Sequence, residues 1–366
     1  MRPLIASIVT VILCAGISAQ NQRGQQLQPG QQGQQGQQGQ QDQRGRQGQQ
    51  GRQGPPPNGP RQSGTPGRPA PGTPGPWDND IGVYRVDANG RVFSLATFAR
   101  AGVSTIARLQ DRRLIAAHQY FPEDSDADFD KVAVRFSPDE GQSWTPPQVV
   151  RLAGLPEGMR FPFDPTLVPL PDGRIRLYFT SLHGRRFDED RPAIYSAIST
   201  NGVDYVVEPG QRFGIDDRPV IDCAVALHDG VFHLYSPDNG AQPQPGDRLP
   251  SDAARPREGV GYHATSRDGL TFTRADDVRV DGRRRWLGNA QSDGRAITFF
   301  GTGDPGTPGP GQPRGPAGGG IWKATSRDGN SWAVVSTLLI QGADPGGVAS
   351  TDGAWIVTAT GPPRSR

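Results

Sequence analysis

The sequence has few of the residues that fix a function by themselves. Its two cysteines include Cys14, inside an apolar N-terminal stretch, so Cys223 is the only thiol in the rest of the chain. A single thiol excludes an intrachain disulfide framework, and the five histidines show no metal-ligand spacing. Beyond the N-terminus, no apolar run approaches the roughly 20 residues that a transmembrane helix needs. We therefore expect a fold held by its core, with no cofactor, no metal site and no membrane span.

The N-terminus has the pattern of an export signal. The stretch MRPLIASIVTVILCAGISAQ combines one arginine, an apolar run and small residues near Ser18 and Ala19. This is typical of a secretory signal peptide, here residues 1–19, and it predicts a secreted or periplasmic protein. A lipid anchor through Cys14 is the alternative, but bulky Leu13 stands where such cleavage sites normally carry a small residue.

Residues 20–76 consist mainly of Gln, Gly, Pro and Arg, which predicts a disordered linker because almost nothing apolar is available for burial. Residues 1–76 hold seven Arg and one Asp of the 39 basic and 37 acidic residues, which leaves 32 basic and 36 acidic residues beyond them. A basic tail can contact anionic polysaccharide, lipid or nucleic acid, or it can act as a solvated spacer. The remainder, a domain predicted over 77–366, shows no nucleic-acid-binding pattern, and we expect a monomer.

A short motif recurs through the predicted domain. It reads S-x-[DN]-G-x-x-aromatic, with the Asp or Asn able to bond backbone amides of its own turn and the Gly supplying positive φ. The copies are spaced 50 to 67 residues apart. They begin at Asp87, Ser137, Ser199, Ser266 and Ser326.

A second repeat lies between these copies and predicts a two-stranded hairpin around a D-G turn. It is clearest from Asp164, Asp222 and Asp344, with weaker versions from Val103 and Trp286. One hairpin of each kind makes a four-stranded blade, and the period indicates a propeller. The domain begins with a hairpin of the S-x-[DN]-G kind that has no D-G hairpin before it. It ends with a D-G hairpin that has no S-x-[DN]-G hairpin after it. The sequence therefore predicts an all-β, five-bladed β-propeller with one blade shared between N- and C-terminal strands.

The recurring motif resembles the Asp-box of sialidases and other β-propellers, where it lies on the blade periphery. The segment DPTLVPLPDGRIRLYFTS is similar to segments of the superfamily containing glycoside hydrolase families 43 and 32. Members of that superfamily use an Asp base or nucleophile on an inner strand, a second Asp and a Glu acid. The resemblance implies Asp164 as the base and Asp222 as the second carboxylate. The spacing of the second repeat places no Glu on an innermost strand, and Glu258 is the nearest candidate for the acid.

The residues themselves support a carboxylate site or a structural alternative. By the repeat, Asp164, Asp222 and Asp344 begin three innermost strands and converge near the axis, where each can raise the pKa of the others. Glycosidic cleavage needs such separated acid and base roles. Alternatively, the three Asp residues cap their strands by bonding backbone amides.

Other polar residues have weaker patterns. His118 and His183 end second strands, so both are candidates for substrate binding at the channel mouth. The loop Glu123–Asp130 is rich in acids, and alternate carboxylates can ligate Ca²⁺, although it lacks the Gly and terminal Glu of an EF-hand. A solvated acidic loop is the favoured interpretation.

Three functions therefore remain open. The first is a secreted propeller that binds or hydrolyses a glycan at the channel mouth, with a glycan or polysaccharide as partner. The second is a noncatalytic glycan- or protein-binding propeller. The third is a sialidase, because the segment ARLQDRRLIAAHQYF resembles the first sialidase blade. However, the arginine of the sialidase motif falls on about Ser104 here, and sialidases have six blades.

Overall fold

The computed structural model describes residues 75–184, 190–241, 256–303, 320–338 and 340–361. All of them belong to one compact unit, Ser63–Arg366. The predicted signal peptide, the Cys14 anchor site and nearly all of the predicted linker lie outside the described residues. In the described part, no helix is long and apolar enough to cross a membrane.

Apart from a single 3₁₀ turn, η1 (Pro76–Asp78), the regular structure of the described residues is β-strand. The strands are β1 Ile81–Val86, β2 Val92–Phe98, β3 Ala101–Arg108, β4 Leu114–Tyr120, β5 Lys131–Ser137, β6 Gln148–Val149, β7 Arg151–Ala153, β8 Phe163–Pro169, β9 Ile175–Ser181, β10 Ala193–Ser199, β11 Asp204–Phe213, β12 Ala224–His228, β13 Val231–Pro237, β14 Val260–Ser266, β15 Thr273–Arg274, β16 Val278–Arg279, β17 Arg284–Ser292, β18 Ile297–Gly303, β19 Ile321–Ser326, β20 Ala333–Leu338, β21 Ala343–Ala349 and β22 Trp355–Thr360.

These strands form five antiparallel sheets arranged as a ring of blades. Blade 1 is β3-β4-β5-β6, blade 2 is β8-β9-β10-β11, blade 3 is β12-β13-β14 with β15 and β16, and blade 4 is β17-β18-β19-β20. Blade 5 has the order β21-β22-β1-β2. The short β7 follows blade 1 and pairs in parallel with β11 of blade 2. The predicted five-bladed propeller is confirmed.

The ring is closed by the two ends of the domain. β1 pairs antiparallel with β22 from Ile81↔Thr360 to Val86↔Trp355, so the N-terminal hairpin completes the C-terminal blade. The Gly361 N–H also donates to the Asp80 carbonyl at 2.7 Å. Closure leaves each blade flanked by two others and removes the exposed sheet edge that an open array would have.

The hydrophobic core is distributed between the blades. Five clusters of buried side chains each fill the space between two neighbouring blades. Blades 3 and 4, for example, meet through Tyr235, Trp286, Phe299 and Trp322, with Tyr235 and Trp286 stacked at 5.6 Å between ring centroids. Because no cluster belongs to one blade alone, each blade depends on both of its neighbours for burial.

The S-x-[DN]-G copies form the turns between third and fourth strands. In blade 3, Asp268 Oδ1 accepts hydrogen bonds from the Leu270 and Thr271 backbone N–H groups, both at 2.8 Å. These bonds lower the pKa of Asp268 to about 2. The turn also binds the preceding blade, since the Tyr178 hydroxyl donates to the Gly269 carbonyl at 2.8 Å. The copies therefore contribute to blade docking at the end of the propeller opposite the starts of the innermost strands.

Asp268→Ala is expected to lower the free energy of unfolding by about 1–2 kcal/mol, because the turn loses its side-chain acceptor. Asp268→Asn is the matched control. Asn201 occupies the same position in blade 2 and accepts from Val203 and Asp204 N–H through its amide oxygen, so Asn should retain most of the stability. Denaturant unfolding of both variants measures the difference. A large loss of ligand affinity in the Ala variant without a loss of stability would contradict a purely structural role.

Candidate functional site

Four of the five innermost strands begin with the same backbone distortion, and the fifth has Gly288, with a φ of 155°, at that position. β3, β8, β12, β17 and β21 contact one another in a ring, and each begins at the same end of it. The four non-glycine residues at the strand starts adopt left-handed φ angles between 47° and 64°, where non-glycine residues are uncommon. The five equivalent positions are Val103, Asp164, Asp222, Gly288 and Asp344.

Threonine hydroxyls of neighbouring blades hold this distortion in place. The N–H of Asp222 donates to Thr180 Oγ1 at 3.0 Å, and the N–H of Asp344 donates to Thr302 Oγ1 at 3.0 Å. Thr180 also hydrogen-bonds the Asp164 side chain, so it links two carboxyl-bearing positions of adjacent blades. Local strain held by surrounding structure in this way occurs often at functional sites.

The three carboxyls share one cavity. Asp164, Asp222 and Asp344 line a small space of about 10 Å³ on the ring axis, roughly the room that one water molecule needs. Asp164 is buried, whereas Asp222 and Asp344 are half-buried. Among the described residues, no backbone N–H donates to any of these carboxylates, so the bonds expected for strand-capping residues are not seen there.

Burial changes the proton affinity of this site. Burial, together with the charge of Asp344, raises the pKa of Asp164 to about 7. Burial also raises the pKa of Asp344 to about 6, although the Arg285 charge opposes it. For Asp222, burial and the charges of both other carboxyls raise the pKa well above its ordinary value. Near neutral pH the three groups therefore share fewer than three negative charges.

Arginines surround this mouth, and the sequence interpretation missed them. Each of blades 1 to 4 carries an arginine three or four residues before the equivalent position named above, and each arginine has a partner from the same end of the propeller. Arg160 pairs with Asp130 at 3.0 Å, whereas Arg285 donates to the neutral Asn239 Oδ1 at 2.8 Å. The four residues are Arg100, Arg160, Arg218 and Arg285. The signal in the sequence was that these arginines recur three or four residues before the same position of the second repeat.

The other predicted site residues lie apart from the cavity. Glu258 precedes β14, is exposed, and pairs with Arg283 at 3.3 Å. His118 is fully buried inside blade 1, where burial lowers its pKa to about 4, so a substrate cannot touch it in this conformation. His183 is exposed, and its backbone N–H donates to the Asp190 carboxylate at 2.8 Å. A role for Glu258 or His183 stays a prediction.

The acidic loop holds an ion pair at one end. Asp130 is directed inward, where Gln119 Nε2 donates to it at 2.9 Å and Arg160 binds its other oxygen. Within the described ranges, no three His, Cys, Asp or Glu residues are grouped so as to hold a metal ion.

No protein-family model and no curated protein matches this sequence. Several solved structures are similar to this chain, with TM-scores below 0.5 for those named here. An α-L-arabinofuranosidase from Clostridium thermocellum is 12% identical, with 70% of this chain and 80% of that chain covered and a TM-score of 0.48. A β-fructofuranosidase of glycoside hydrolase family 32 from Bombyx mori is 12% identical, with coverages of 70% and 54% and a TM-score of 0.49. A protein of unknown function from Dyadobacter fermentans is 12% identical, with coverages of 74% and 79% and a TM-score of 0.44. At this level, the likeness concerns the fold alone.

The raised carboxyl pKa values predict a pH-dependent effect of Asp164→Asn on stability. Because the folded-state pKa of Asp164 lies above its unfolded value, the folded state binds more protons between about pH 4 and 7, and this group weakens folding as the pH rises. Asn removes that dependence. The unfolding free energy of the variant relative to the parent should therefore increase by roughly 2–4 kcal/mol between pH 4.5 and 8.

The difference between variant and parent is the quantity to measure, because histidines oppose the effect in the parent. Burial lowers the pKa of His118 and of His263 to about 4, so both reduce stability as the pH falls below about 6.5. Urea unfolding of both proteins at the two pH values gives the difference. Asp172→Asn, in an exposed turn, is the control and should show no such increase. If the unfolding free energy of Asp164→Asn relative to the parent is also independent of pH, the carboxyl of Asp164 is not desolvated.

Proposed function

We propose that this protein is exported and hydrolyses a glycosidic bond at the axial mouth of its propeller. The observation that carries the proposal is the convergence of Asp164, Asp222 and Asp344 on one cavity, with their proton affinities raised and, within the residues described, no backbone amides bound to their carboxylates. Buried carboxyls with separated pKa values are what glycosidic cleavage needs. The N-terminal pattern supports export.

The roles follow from the protonation states. Asp164, partly ionised near neutral pH, is the base that removes a proton from a water molecule. Asp222, whose pKa is raised well above its ordinary value by burial and by the other two carboxyls, is a carboxyl that can donate a proton to the leaving sugar oxygen, so the reaction has an acid without requiring Glu258. Asp344 adjusts the charge of the site. The attacking water gives a proton to Asp164 and forms the new bond to the anomeric carbon, while the bond to the leaving oxygen breaks and that oxygen takes the proton of Asp222.

A noncatalytic glycan-binding propeller is the second candidate, and one observation favours it. The axial cavity has room for about one water molecule and none for a sugar ring, so a glycan must lie across the mouth rather than between the carboxyls. A sialidase has no such support, since five blades are present. Ser104, where sialidases carry arginine, is buried and donates to Thr358 Oγ1 at 2.9 Å.

A hydrolysis screen tests the proposal. Purified protein is incubated with arabinan, fructan, mannan, xylan and acidic polysaccharides, and released reducing ends are measured over pH 4–8. The proposal expects release from at least one substrate, abolished by Asp164→Asn. If the parent binds a glycan in the same panel and cleaves none, the binding-module alternative is correct.

A further inference from the structure

A second, larger pocket lies between blades 2 and 3. It has a volume of about 560 Å³, within the range typical of small-molecule sites. Its lining includes three arginines, two aromatic rings and two carboxylates, those of Asp216 and Asp277, and no residue of the axial cavity belongs to it. The arginines and the aromatic residues are Arg218, Arg257, Arg274, Phe213 and Tyr262.

The arginines are paired with two acids, the buried Asp238 and Asp277, which itself lines the pocket. The side chain of Asp238 is completely inaccessible, and its two oxygens bind Arg218 at 3.3 Å and Arg257 at 2.5 Å. Asp277 pairs with Arg257 at 2.8 Å and also with Arg274. A guanidinium whose inner N–H groups are fixed in this way is oriented before any ligand arrives.

The outer N–H groups of the three guanidiniums remain accessible. An arginine has five N–H donors, and the contacts named here occupy a minority of them. The exposed fractions of the side chains are 21% for Arg218, 43% for Arg257 and 40% for Arg274. In the described structure, none of their side-chain nitrogens is buried without a partner, and each of the three side chains is partly open to solvent.

The aromatic rings fix the third arginine. The Arg274 guanidinium lies 4.9 Å from the centroid of Tyr262 and 5.9 Å from that of Phe213, and its Nη1 donates to the His263 carbonyl. Stacking restricts rotation of the planar group, so its donors present a fixed fork. Planar forks of this kind recognise carboxylate and sulfate oxygens in pairs.

The pocket is connected to the axial mouth by one short segment. Asp238, which holds Arg218 and Arg257, is followed by Asn239, which accepts from Arg285 at the mouth and donates to the Ile221 carbonyl beside Asp222. The residues that hold the pocket arginines are therefore linked through hydrogen bonds to those at the mouth.

We propose that the pocket between blades 2 and 3 binds the anionic group of an acidic sugar, a uronate carboxylate or a sugar sulfate. The site is distinct from the axial carboxyls. It deepens the proposed function by giving the glycan a chemical class, but binding at this pocket does not depend on hydrolysis.

Calorimetric titration of the full chain in low salt tests the proposal with three ligands of one length. Trigalacturonate carries the carboxylates, its methyl ester keeps the size without the charge, and a sulfated galactotriose carries sulfate. Saturable binding of an anionic ligand, at least about tenfold tighter than the methyl ester, is expected. Preference between carboxylate and sulfate identifies the source of the oxyanion. Equal affinity for the ester, or no binding of either anion, overturns the proposal.

Variants localise the binding. Arg274→Gln and Arg218→Gln should each lower the affinity for the anionic ligand at least about tenfold. Arg274→Lys should retain only part of the parent's affinity, because Lys lacks the planar fork. Arg91→Gln is the matched control, on an exposed turn at the opposite end of the propeller. If Arg218→Gln fails to fold, the more exposed Arg274 carries the test. Undiminished affinity in a folded Arg274→Gln variant overturns the assignment.

Asp164→Asn separates this proposal from the proposed function. The variant should bind the anionic ligand as the parent does, even though it is expected to lose hydrolysis. Binding in a protein that hydrolyses nothing leaves the pocket proposal standing and removes the catalytic one. Binding that is lost with Asp164→Asn alone would place the ligand at the axial carboxyls instead.

Discussion

Asp164→Asn is expected to lower turnover by at least about 10²-fold while the protein stays folded. The amide retains the size of the carboxyl and can still hydrogen-bond Thr180, but it cannot take a proton from water. The same substitution removes a buried group that is ionised at high pH, so the variant should be at least as stable as the parent above pH 7. Turnover and unfolding are measured on the same preparation at several pH values.

Asp222→Asn and Asp344→Asn distinguish the roles of the other two carboxyls. Loss of the proton donor should affect substrates with poor leaving groups most, so Asp222→Asn should retain more activity on an aryl glycoside than on a natural glycan. Asp344→Asn should mainly shift the pH profile. An active Asp164→Asn variant would exclude Asp164 as the base, whatever the behaviour of the other two.

Deletion of residues 77–100 is expected to abolish the folded monomer. The deletion removes β1 and β2, half of blade 5, and with them the fully buried Ile81 and Val83 and the nearly buried Phe98. Full burial of one such side chain contributes about 1.5–3 kcal/mol, and a domain has only about 5–15 kcal/mol of net stability. The loss of three, about 4.5–9 kcal/mol by this figure, is comparable to the whole net stability, and the deletion also exposes the edge of β22.

A circular permutant is the control for the deletion. Because Gly361 and Asp80 are hydrogen-bonded, a short glycine linker can join the ends of blade 5, with new termini in the exposed turn at residues 154–158. The permutant keeps every strand from β1 to β22 and should form a monomeric propeller with a cooperative thermal transition. Size-exclusion chromatography and circular dichroism compare the two proteins. A deletion protein that is monomeric and melts like the parent would contradict the role of the shared blade.

The sequence predicts the architecture well because the fold is periodic. The D-G and S-x-[DN]-G turns mark the hairpins, and the order of the hairpins at the two ends decides that one blade is shared. The alignment of Asp164, Asp222 and Asp344 follows from the same period, because equivalent positions in a ring face the same axis.

Features that depend on packing between blades could not be predicted from the repeat. His118 lies within β4, two residues before the strand ends at Tyr120, and its ring packs in the interior against Phe98, at 5.6 Å between centroids. The pairing of Asp130 with Arg160 joins two loops 30 residues apart, and the pocket of Arg218 and Arg274 is formed by two blades. The positive φ at Val103 could not be anticipated, because β-branched residues rarely adopt it.

The pairing of β1 with β22 also sets the order of events during synthesis. These strands are separated by about 270 residues, so the first hairpin to be made cannot find its partner until the last has emerged. Contacts at such separation are slow to form because a long loop must close first. Until then the N-terminal hairpin presents a free edge and unburied apolar side chains, which favours aggregation. The export proposed above would therefore act on a chain whose propeller ring has not yet closed.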